Sequence, residues 1–199
     1  RVIECMEMAD VTRFADIKQR ALTFVIAGAG FSGVETMGEL AEMVDRILPE
    51  YPNIQRHEIR LVIIQIGHRV LPELPEHLSE YALNQLEKRG VEVWLNTGIH
   101  SATQHAVYTN DGRSLPTRTI VTTIGNGPSE FVKSLPIELQ RGRIAVSAEL
   151  EVIGLSNVWS IGDAALVPLN TDQESPLYAP PTAQFAVAQA EVLAHNILH

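Results

Sequence analysis

The sequence predicts an α/β fold built around a parallel sheet, and three observations carry this prediction. A short apolar run at residues 22–26 leads through a glycine-rich turn into a segment with apolar residues at helical spacing. Further apolar runs follow at residues 59–65 and 91–95, each after a predicted helix. Strands that alternate with helices become parallel neighbours joined by crossovers, which is typical of a Rossmann-like domain.

Helices are predicted where apolar side chains recur every three or four residues. Residues 2–11 show this spacing at the start of the chain. The segment behind the glycine turn shows it at six positions: Val34, Met37, Leu40, Ala41, Val44 and Leu48. Residues 76–89 form a further amphipathic pattern, which ends at Gly90 as helices commonly do.

The middle of the chain predicts a short hairpin and one more strand. Residues 105–109 and 113–115 flank Asn110-Asp111-Gly112, where Asn and Gly tolerate the positive φ angles of a hairpin turn. Residues 118–124 return as a strand that ends at Gly125-Asn126-Gly127-Pro128. We place the end of the first domain there.

The rest of the chain has shorter elements. Residues 143–146 and 149–152 predict edge strands or a hairpin, and residues 158–161 predict a buried strand. Residues 180–198 predict a closing helix with prolines in its first turn.

Composition excludes several classes of function. Acidic residues outnumber basic ones by 24 to 15 and the basic ones are scattered, which predicts no nucleic-acid partner. Cys5 is the single cysteine, so an intrachain disulfide is excluded, and a reducing cytoplasm fits. The histidines lack the spacing of metal ligands, which predicts no metal site. No apolar run reaches the roughly 18 residues of a membrane-spanning helix.

The glycine turn has the Gly28-x-Gly30-x-x-Gly33 spacing that a dinucleotide pyrophosphate requires. Gly28 permits a tight turn, Gly30 lets the backbone approach the phosphates, and Gly33 lets helix and strand pack closely. The helix that follows this turn offers free N–H groups and a positive dipole at its N-terminus. A dinucleotide coenzyme, and hence hydride chemistry, is the first hypothesis, and a glycine-rich turn without a ligand is the alternative.

A second motif lies at residues 157–165, where a predicted strand ends in Gly162-Asp163-Ala164. Taken alone, Asp163 could simply cap the next helix. Together with the glycine turn, the motif resembles the two-dinucleotide flavoproteins, in which a nicotinamide-binding domain is inserted into a flavin-binding domain. The resemblance implies that Asp163 accepts a hydrogen bond from a ribityl hydroxyl of FAD, and that the amides after it meet phosphate charge.

Within that superfamily the sequence resembles the type II NADH dehydrogenases, which are single-subunit NADH:quinone oxidoreductases. Four stretches carry the resemblance: GAGFSGVETMGELAEM from Gly28, RVLPELPEHLSEYALNQLEKRGVEV from Arg69, NVWSIGDAA from Asn157 and PPTAQFAVAQAEVLAHNI from Pro180. It implies three parts, which are residues 1–22 as a connecting helix from the flavin domain, 23–124 as a Rossmann-like NAD(P)H-binding domain, and 125–199 as the C-terminal part of an FAD-binding domain.

The same resemblance implies a reaction and its site. NADH passes hydride to FAD, and electrons then pass to a quinone. Glu35 is a catalytic candidate between nicotinamide and flavin, at the start of a helix whose positive end favours a carboxylate. Gln184 is a candidate beside the flavin ring and the quinone, and plain helix-start residues are the alternative for both. The implied cofactor-binding residues are Gly28, Gly30, Phe31, Ser32, Gly33, Glu35, Gln65, Gly125, Gly162, Asp163, Ala164, Ala183 and Gln184.

Two positions depart from the family pattern. Gln65 ends the second predicted strand, where an NADH-specific enzyme usually offers a carboxylate to the ribose diol. A carboxylate repels a 2′-phosphate and Gln does not, so we expect NADPH as well as NADH, with His68 and Arg69 close enough to supply positive charge. Ala188 stands where the family's quinone motif often has a second glutamine, with Gln189 next, so hydride transfer is the firmer expectation.

The resemblance also implies that the chain is a fragment. The family has another glycine fingerprint before the position of Arg1, and a C-terminal amphipathic region after that of His199 which holds the enzyme on the membrane surface. We therefore expect a fragment that alone neither retains FAD nor reduces quinone. The complete protein is expected in the cytoplasm, peripheral on the inner face of the cell membrane, and a homodimer stays open.

Two other classes of function stay open. A related flavin reductase of the ferredoxin, disulfide or sulfide:quinone type shares this architecture, although a single cysteine argues against the last two. A non-catalytic NAD(H)-binding module would use the same glycine turn. NADH binding without turnover is expected of that module and of the fragment alike.

Overall fold

Two units make up the chain, Arg1–Gly125 and Asn126–His199. The computed structural model describes residues 1–125, 129–170 and 176–198, so Asn126-Gly127-Pro128, which the sequence places at the end of a strand, lies outside the described residues. The predicted α/β class is confirmed, because helices accompany a parallel sheet.

The first unit contains a parallel sheet of four strands. Its elements, in chain order, are α1 (Val2–Val11), α2 (Ala15–Ala21), β1 (Thr23–Ala27), α3 (Phe31–Ile47), β2 (Arg60–Ile64), α4 (Glu76–Lys88), β3 (Val91–Trp94), β4 (Ile99–Ala102), β5 (Ala106–Thr109), β6 (Ser114–Pro116) and β7 (Thr119–Thr122). The parallel strands lie in the order β3-β2-β1-β7, and β4, β5 and β6 form a separate antiparallel sheet. β1 therefore pairs with β2 on one side and with β7 on the other.

Alternate side chains of the central strands pack into different layers. Phe24 of β1 belongs to a core that includes Met37 of α3 and Met6 of α1. Its neighbour Val25 belongs to another core, with Leu115 of the antiparallel sheet. Both faces of the central strands are thus covered, which explains why β1 and β2 are almost continuously apolar rather than alternating.

Most of the elements predicted for this unit occur within one or two residues of their predicted bounds. The hairpin of β5 and β6 turns at Gly112, which has a φ of +85°. Gly90, with a φ of +76°, follows the end of α4 and gives it the left-handed residue that commonly ends a helix. The predicted connecting helix over residues 1–22 is divided into α1 and α2, because Thr12 and Phe14 have extended backbone. β4 was not predicted, because it is short and lacks a clear apolar period.

The second unit has a small three-stranded sheet and a long closing helix. Its elements are α5 (Glu130–Ser134), β8 (Leu139–Gln140), β9 (Arg143–Ala145), β10 (Ala165–Leu166) and α6 (Ala183–Leu198). The sheet order is β10-β9-β8, and its core packs against Phe185 and Leu193 of α6.

Three predictions for this unit are wrong in detail. The hairpin partner of β9 is β8, whereas residues 149–152 contribute only bridges. The predicted buried strand at 158–161 does not form, and Val158 is 43% exposed. α6 begins at Ala183, so Pro180 and Pro181 precede the helix and shape its approach instead of lying in its first turn. Within the described ranges no helix is both long and apolar enough to cross a membrane.

Candidate dinucleotide-binding site

The glycine turn lies where the carboxyl ends of β1 and β7 meet. The backbone N–H of Gly28 donates to Ile64 O of β2 at 2.8 Å, and the backbone N–H of Thr123 donates to Ala27 O at 2.8 Å. From β1 the chain crosses over to β2 on one side, while β7 joins β1 from the other side. Such a topological switch point is where open α/β sheets bind ligands.

The three glycines of the turn differ in what their missing side chains allow. Gly28 has a φ of +100°, and a Cβ there would lie 3.0 Å from backbone atoms of Thr123 and Ile124. A Cβ on Gly33 would collide with the carbonyl of Gly28. A Cβ on Gly30 would meet nothing within 4 Å. The fold therefore requires glycine at 28 and 33, while the open space at Gly30 fits the close approach of a ligand.

The start of α3 presents unused hydrogen-bond donors beside this open space. The backbone N–H groups of Gly30, Phe31, Ser32 and Gly33 donate to no partner in the described part of the chain. Gly30 precedes the helix and has no side chain to cap it. Phe31 and Ser32 are exposed. Free N–H groups at a helix N-terminus suit a diphosphate, so these residues fit the pyrophosphate of a dinucleotide.

Thr123 fixes the turn from the side of β7, and sequence reasoning missed it. Its hydroxyl Oγ1 lies 2.9 Å from Ala27 O and 3.0 Å from Gly28 O, and can donate to either carbonyl. The same hydroxyl lies 2.7 Å from the position of a Cβ on Gly33. A threonine at a strand end belongs to no short motif, so only the register of β7 against β1 reveals this contact.

Gln65 follows β2, and its side chain reaches the glycine turn. The backbone N–H of Ala29 donates to Gln65 Oε1 at 3.3 Å, and Gln65 Nε2 donates to Arg69 O at 3.4 Å. Ala29 O in turn accepts the backbone N–H of Leu71 at 2.7 Å, a second contact that the sequence did not suggest. The structure therefore brings Gln65 to the predicted turn, where it contacts backbone groups.

Glu35 and Gly125 flank the turn. Glu35 is exposed and is the fifth residue of α3, one turn beyond the free N–H groups. The helix dipole weakens within the first turn, so it favours this carboxylate less than the sequence suggested. Gly125 is exposed and follows Ile124, whose backbone N lies against Gly28.

The Gly-Asp motif of the second unit forms a single 3₁₀ turn, Gly162–Ala164. Gly162 has a φ of +68°, and its backbone N–H donates to Oε1 of Gln189 on α6 at 2.7 Å. Asp163 is exposed and its carboxylate forms no hydrogen bond or ion pair with the described residues. An exposed acceptor on a fixed turn fits the role of binding a hydroxyl group.

The start of α6 holds the other predicted residues of this unit. Ala183 and Gln184 are its first two residues and both are exposed. Gln189, by contrast, is only 8% exposed and is the residue that joins α6 to the Gly-Asp turn. The sequence analysis names Gln189 only as the neighbour of Ala188. Its contact with Gly162 could not be predicted, because a single glutamine in a helix belongs to no recognisable motif.

Comparison with known proteins agrees with these features. The profile of the pyridine nucleotide-disulphide oxidoreductase family matches residues 3–190. The type II NADH:quinone oxidoreductase of Staphylococcus saprophyticus is 31% identical over 191 residues, which cover 92% of this chain and 46% of that protein. The chain thus spans about half the length of the curated relatives that it matches.

Two solved structures show the same fold. The structure of NDH2 from Plasmodium falciparum in complex with NADH has a TM-score of 0.73 at 19% identity, covering 84% of this chain and 36% of its own. The ferredoxin reductase for the CYP199A2 system from Rhodopseudomonas palustris has a TM-score of 0.65 at 20% identity, covering 87% and 41%.

The family match includes both the glycine turn and the Gly-Asp turn. The predicted Rossmann-like flavoprotein fold and the resemblance to type II NADH dehydrogenases are confirmed. On these grounds the chain belongs to the pyridine nucleotide-disulphide oxidoreductase family.

Proposed function

We propose that this chain supplies the NAD(P)H-binding domain and the C-terminal part of the FAD-binding domain of an NADH:quinone oxidoreductase. In this proposal residues 23–124 bind the coenzyme, residues 125–199 contribute to the flavin site, and residues 1–22 connect the two. The observation that carries it is the glycine turn, where open space at Gly30 meets free N–H groups at a switch point. The names of the curated relatives support the quinone part.

The coenzyme would be held by this turn. The N–H groups of residues 30–33 donate to the pyrophosphate, and glycine at 30 leaves room for it. Glu35 contacts the nicotinamide end. NADPH is accepted beside NADH, because Gln65 places no carboxylate against a 2′-phosphate and His68 and Arg69 are close in sequence.

The flavin would be held by the second unit. Asp163 accepts a ribityl hydroxyl, and Gln189 keeps the turn that carries Asp163 fixed to α6. Ala183 and Gln184 at the start of α6 contribute to the same site. Bound FAD supplies the hydride acceptor, and the protein supplies position and electrostatics.

For the whole protein we propose three further features. Its electron acceptor is a quinone, it is attached to the inner face of the cell membrane, and it forms a homodimer. The names of the relatives support quinone alone, whereas the membrane attachment and the homodimer rest on the resemblance to the type II enzymes. The 199-residue chain alone is expected to bind nicotinamide dinucleotides and to retain no flavin.

Two measurements on the purified chain test this proposal. Calorimetric titration with NADH is expected to show one site for each chain, and the absence of binding would contradict the assignment of the glycine turn. The visible absorption spectrum is expected to lack a flavin band. A stoichiometric yellow protein would contradict the division of the flavin site between this chain and residues outside it.

A flavin reductase with another electron acceptor is the second candidate. Ala188, where the quinone motif often has glutamine, favours it. Turnover of the assembled flavoenzyme, measured with a quinone and with ferredoxin, distinguishes the two candidate functions. A quinone reductase reduces the quinone faster, and a ferredoxin reductase reduces ferredoxin faster. A non-catalytic module would show neither activity even when flavin is supplied.

A further inference from the structure

The backbone N–H and carbonyl groups of Ala29, in the glycine turn, both bond to the segment that follows β2. Ala29 is fully buried. Its N–H donates to Oε1 of Gln65, and its carbonyl accepts the N–H of Leu71. Because water cannot reach this residue, these two partners satisfy the only polar groups that Ala29 has.

The segment that receives these contacts is itself held in place. Leu71 is buried and has a φ of +45°, which is uncommon for a residue with a side chain. The carbonyl of Val70 accepts the hydroxyl of Ser79, which is buried on α4. A Cβ on Gly67 would lie 3.3 Å from Gln65 Nε2, so the chain passes close over the amide. The Gln65 side chain thus lies between the glycine turn and a segment anchored to α4.

We propose that Gln65 is a positioning residue for the nucleotide: its amide braces the glycine turn against residues 67–71. This inference rests on the proposed coenzyme site. The amide is suited to the task because it accepts from Ala29 at one end and donates to Arg69 O at the other. Both contacts are long, so their main effect is to leave no buried group of the turn unsatisfied.

The chemistry of the amide predicts how each replacement behaves. An ionised glutamate at 65 can accept from Ala29 but turns a second acceptor toward Arg69 O, and the two oxygens repel. A protonated glutamate restores one donor and one acceptor in nearly the same shape. Leucine keeps the volume and makes neither contact.

The test is a titration of NAD⁺ into the Gln65→Glu chain at about pH 8 and about pH 5, each compared with the original chain at the same pH. Partial burial and the facing carbonyl of Arg69 raise the pKa of a carboxyl at this position above the ordinary value of about 4.3, so that the lower pH protonates a large part of it. Comparison at matched pH removes the effects of His68 and Arg69, the titratable and charged neighbours in the segment. We expect affinity about tenfold weaker than the original at the higher pH, recovering toward it at the lower pH. Gln104→Glu, an exposed position between β4 and β5, adds the same charge and is expected to leave affinity unchanged.

If the carboxylate at position 65 instead bonds to the ribose diol, the change in NAD⁺ affinity between the two pH values has the opposite sign. Gln65→Glu would then bind NAD⁺ as tightly as the original chain or more tightly at the higher pH, and lose affinity when protonated. That result would overturn the bracing role while leaving the proposed coenzyme site intact.

Hydrogen exchange of the Ala29 amide, measured without nucleotide, gives a second readout. Exchange in Gln65→Leu is expected to be at least about tenfold faster than in the original chain at the same pH, because the amide loses its acceptor. Unchanged exchange would overturn the brace. A chain that binds no NAD⁺ but shows this faster exchange would contradict the proposed function and keep the brace.

Discussion

Gln189 accepts the backbone N–H of Gly162 through Oε1 at 2.7 Å, and this bond joins α6 to the turn that carries Asp163. Gln189 is one of the few buried polar side chains among the described residues. The contact spans 27 positions in the sequence and fixes a glycine with a positive φ. The Gly-Asp turn is therefore held by the closing helix as well as by its own backbone.

Replacing Gln189 by leucine is expected to loosen this turn. The partly buried N–H of Gly162 would lose its partner, which costs about 1 kcal/mol, the low end of the range for buried donors. Amide exchange in the second unit measures the change, and Gln184→Leu on the exposed side of the same helix is the control. Equal exchange in the two variants would show that the bond does not stabilise the unit.

Alanine at Gly30 and at Gly33 should separate binding from folding. Gly33→Ala places a Cβ against the carbonyl of Gly28, and we expect the free energy of unfolding to fall by about 1–3 kcal/mol. Gly30→Ala meets open space and should cost less than about 1 kcal/mol, as at an ordinary helix cap. Its Cβ occupies the proposed pyrophosphate path, so NADH affinity should fall at least about tenfold. Melting curves measure the stability of each variant, and titrations measure its NADH affinity. A Gly30→Ala chain that binds NADH as tightly as the original would argue against the proposed pyrophosphate site.

The hydroxyl of Thr123 should matter more than its methyl group. Thr123→Val keeps the shape but removes the donor to Ala27 O and Gly28 O, which should cost about 1–2 kcal/mol of stability and weaken NADH binding. Thr123→Ser keeps the donor and should retain most of both. Denaturant unfolding and NADH titration compare the two, and a serine variant as weak as valine would mean that packing dominates.

Gln65→Glu should also change the choice of coenzyme. We expect the original chain to bind NADP⁺ within about tenfold of NAD⁺, and the glutamate to shift the ratio of affinities toward NAD⁺ because it repels the 2′-phosphate. Parallel titrations with both nucleotides measure that ratio. If the ratio is the same in both chains, residue 65 does not determine the preference.

The ion pair of Arg60 and Glu92 should contribute stability that depends on pH. Two hydrogen bonds of 2.8 Å join the guanidinium and the carboxylate, and they hold the pKa of Glu92 below its usual 4.5. A lowered pKa in the folded state means that this contribution is complete above about pH 4.5 and is lost as the pH falls below it. Glu92→Gln should therefore lower the free energy of unfolding by less than about 1 kcal/mol at neutral pH, since both groups are partly exposed.

The difference between Glu92→Gln and the original chain should shrink as the pH falls through 4.5 toward the lowered pKa. Urea unfolding at several pH values measures it. A difference that stays constant with pH would assign the effect to packing instead of charge.

Much of the first unit could be predicted from its sequence because its physical signals are local. The spacing of Gly28, Gly30 and Gly33 predicts a turn of specific shape. The apolar runs at β1 and β2 are long enough to indicate buried strands. Helical spacing located α3 and α4 within three residues. Each of these signals lies within about a dozen consecutive residues.

The parts that could not be predicted depend on contacts between distant residues. The hydroxyl of Thr123 reaches Gly28 across 95 positions, and a single sequence holds no trace of that pairing. The second unit has two- and three-residue strands, too short for any period to show, so residues 158–161 were mistaken for a buried strand. The sequence correctly places Gln65 at the end of β2, but its contacts to Ala29 and Arg69 depend on how the loop after β2 folds back.

The place of β1 in the sheet has a consequence for synthesis of the chain. One of the two neighbours of β1, the strand β7, emerges almost a hundred residues after β1 itself, and Thr123 with it. Contacts between such distant residues form slowly, because a long loop must close first. A ribosome therefore releases the glycine turn well before its shape can be completed, which happens only when β7 docks beside β1.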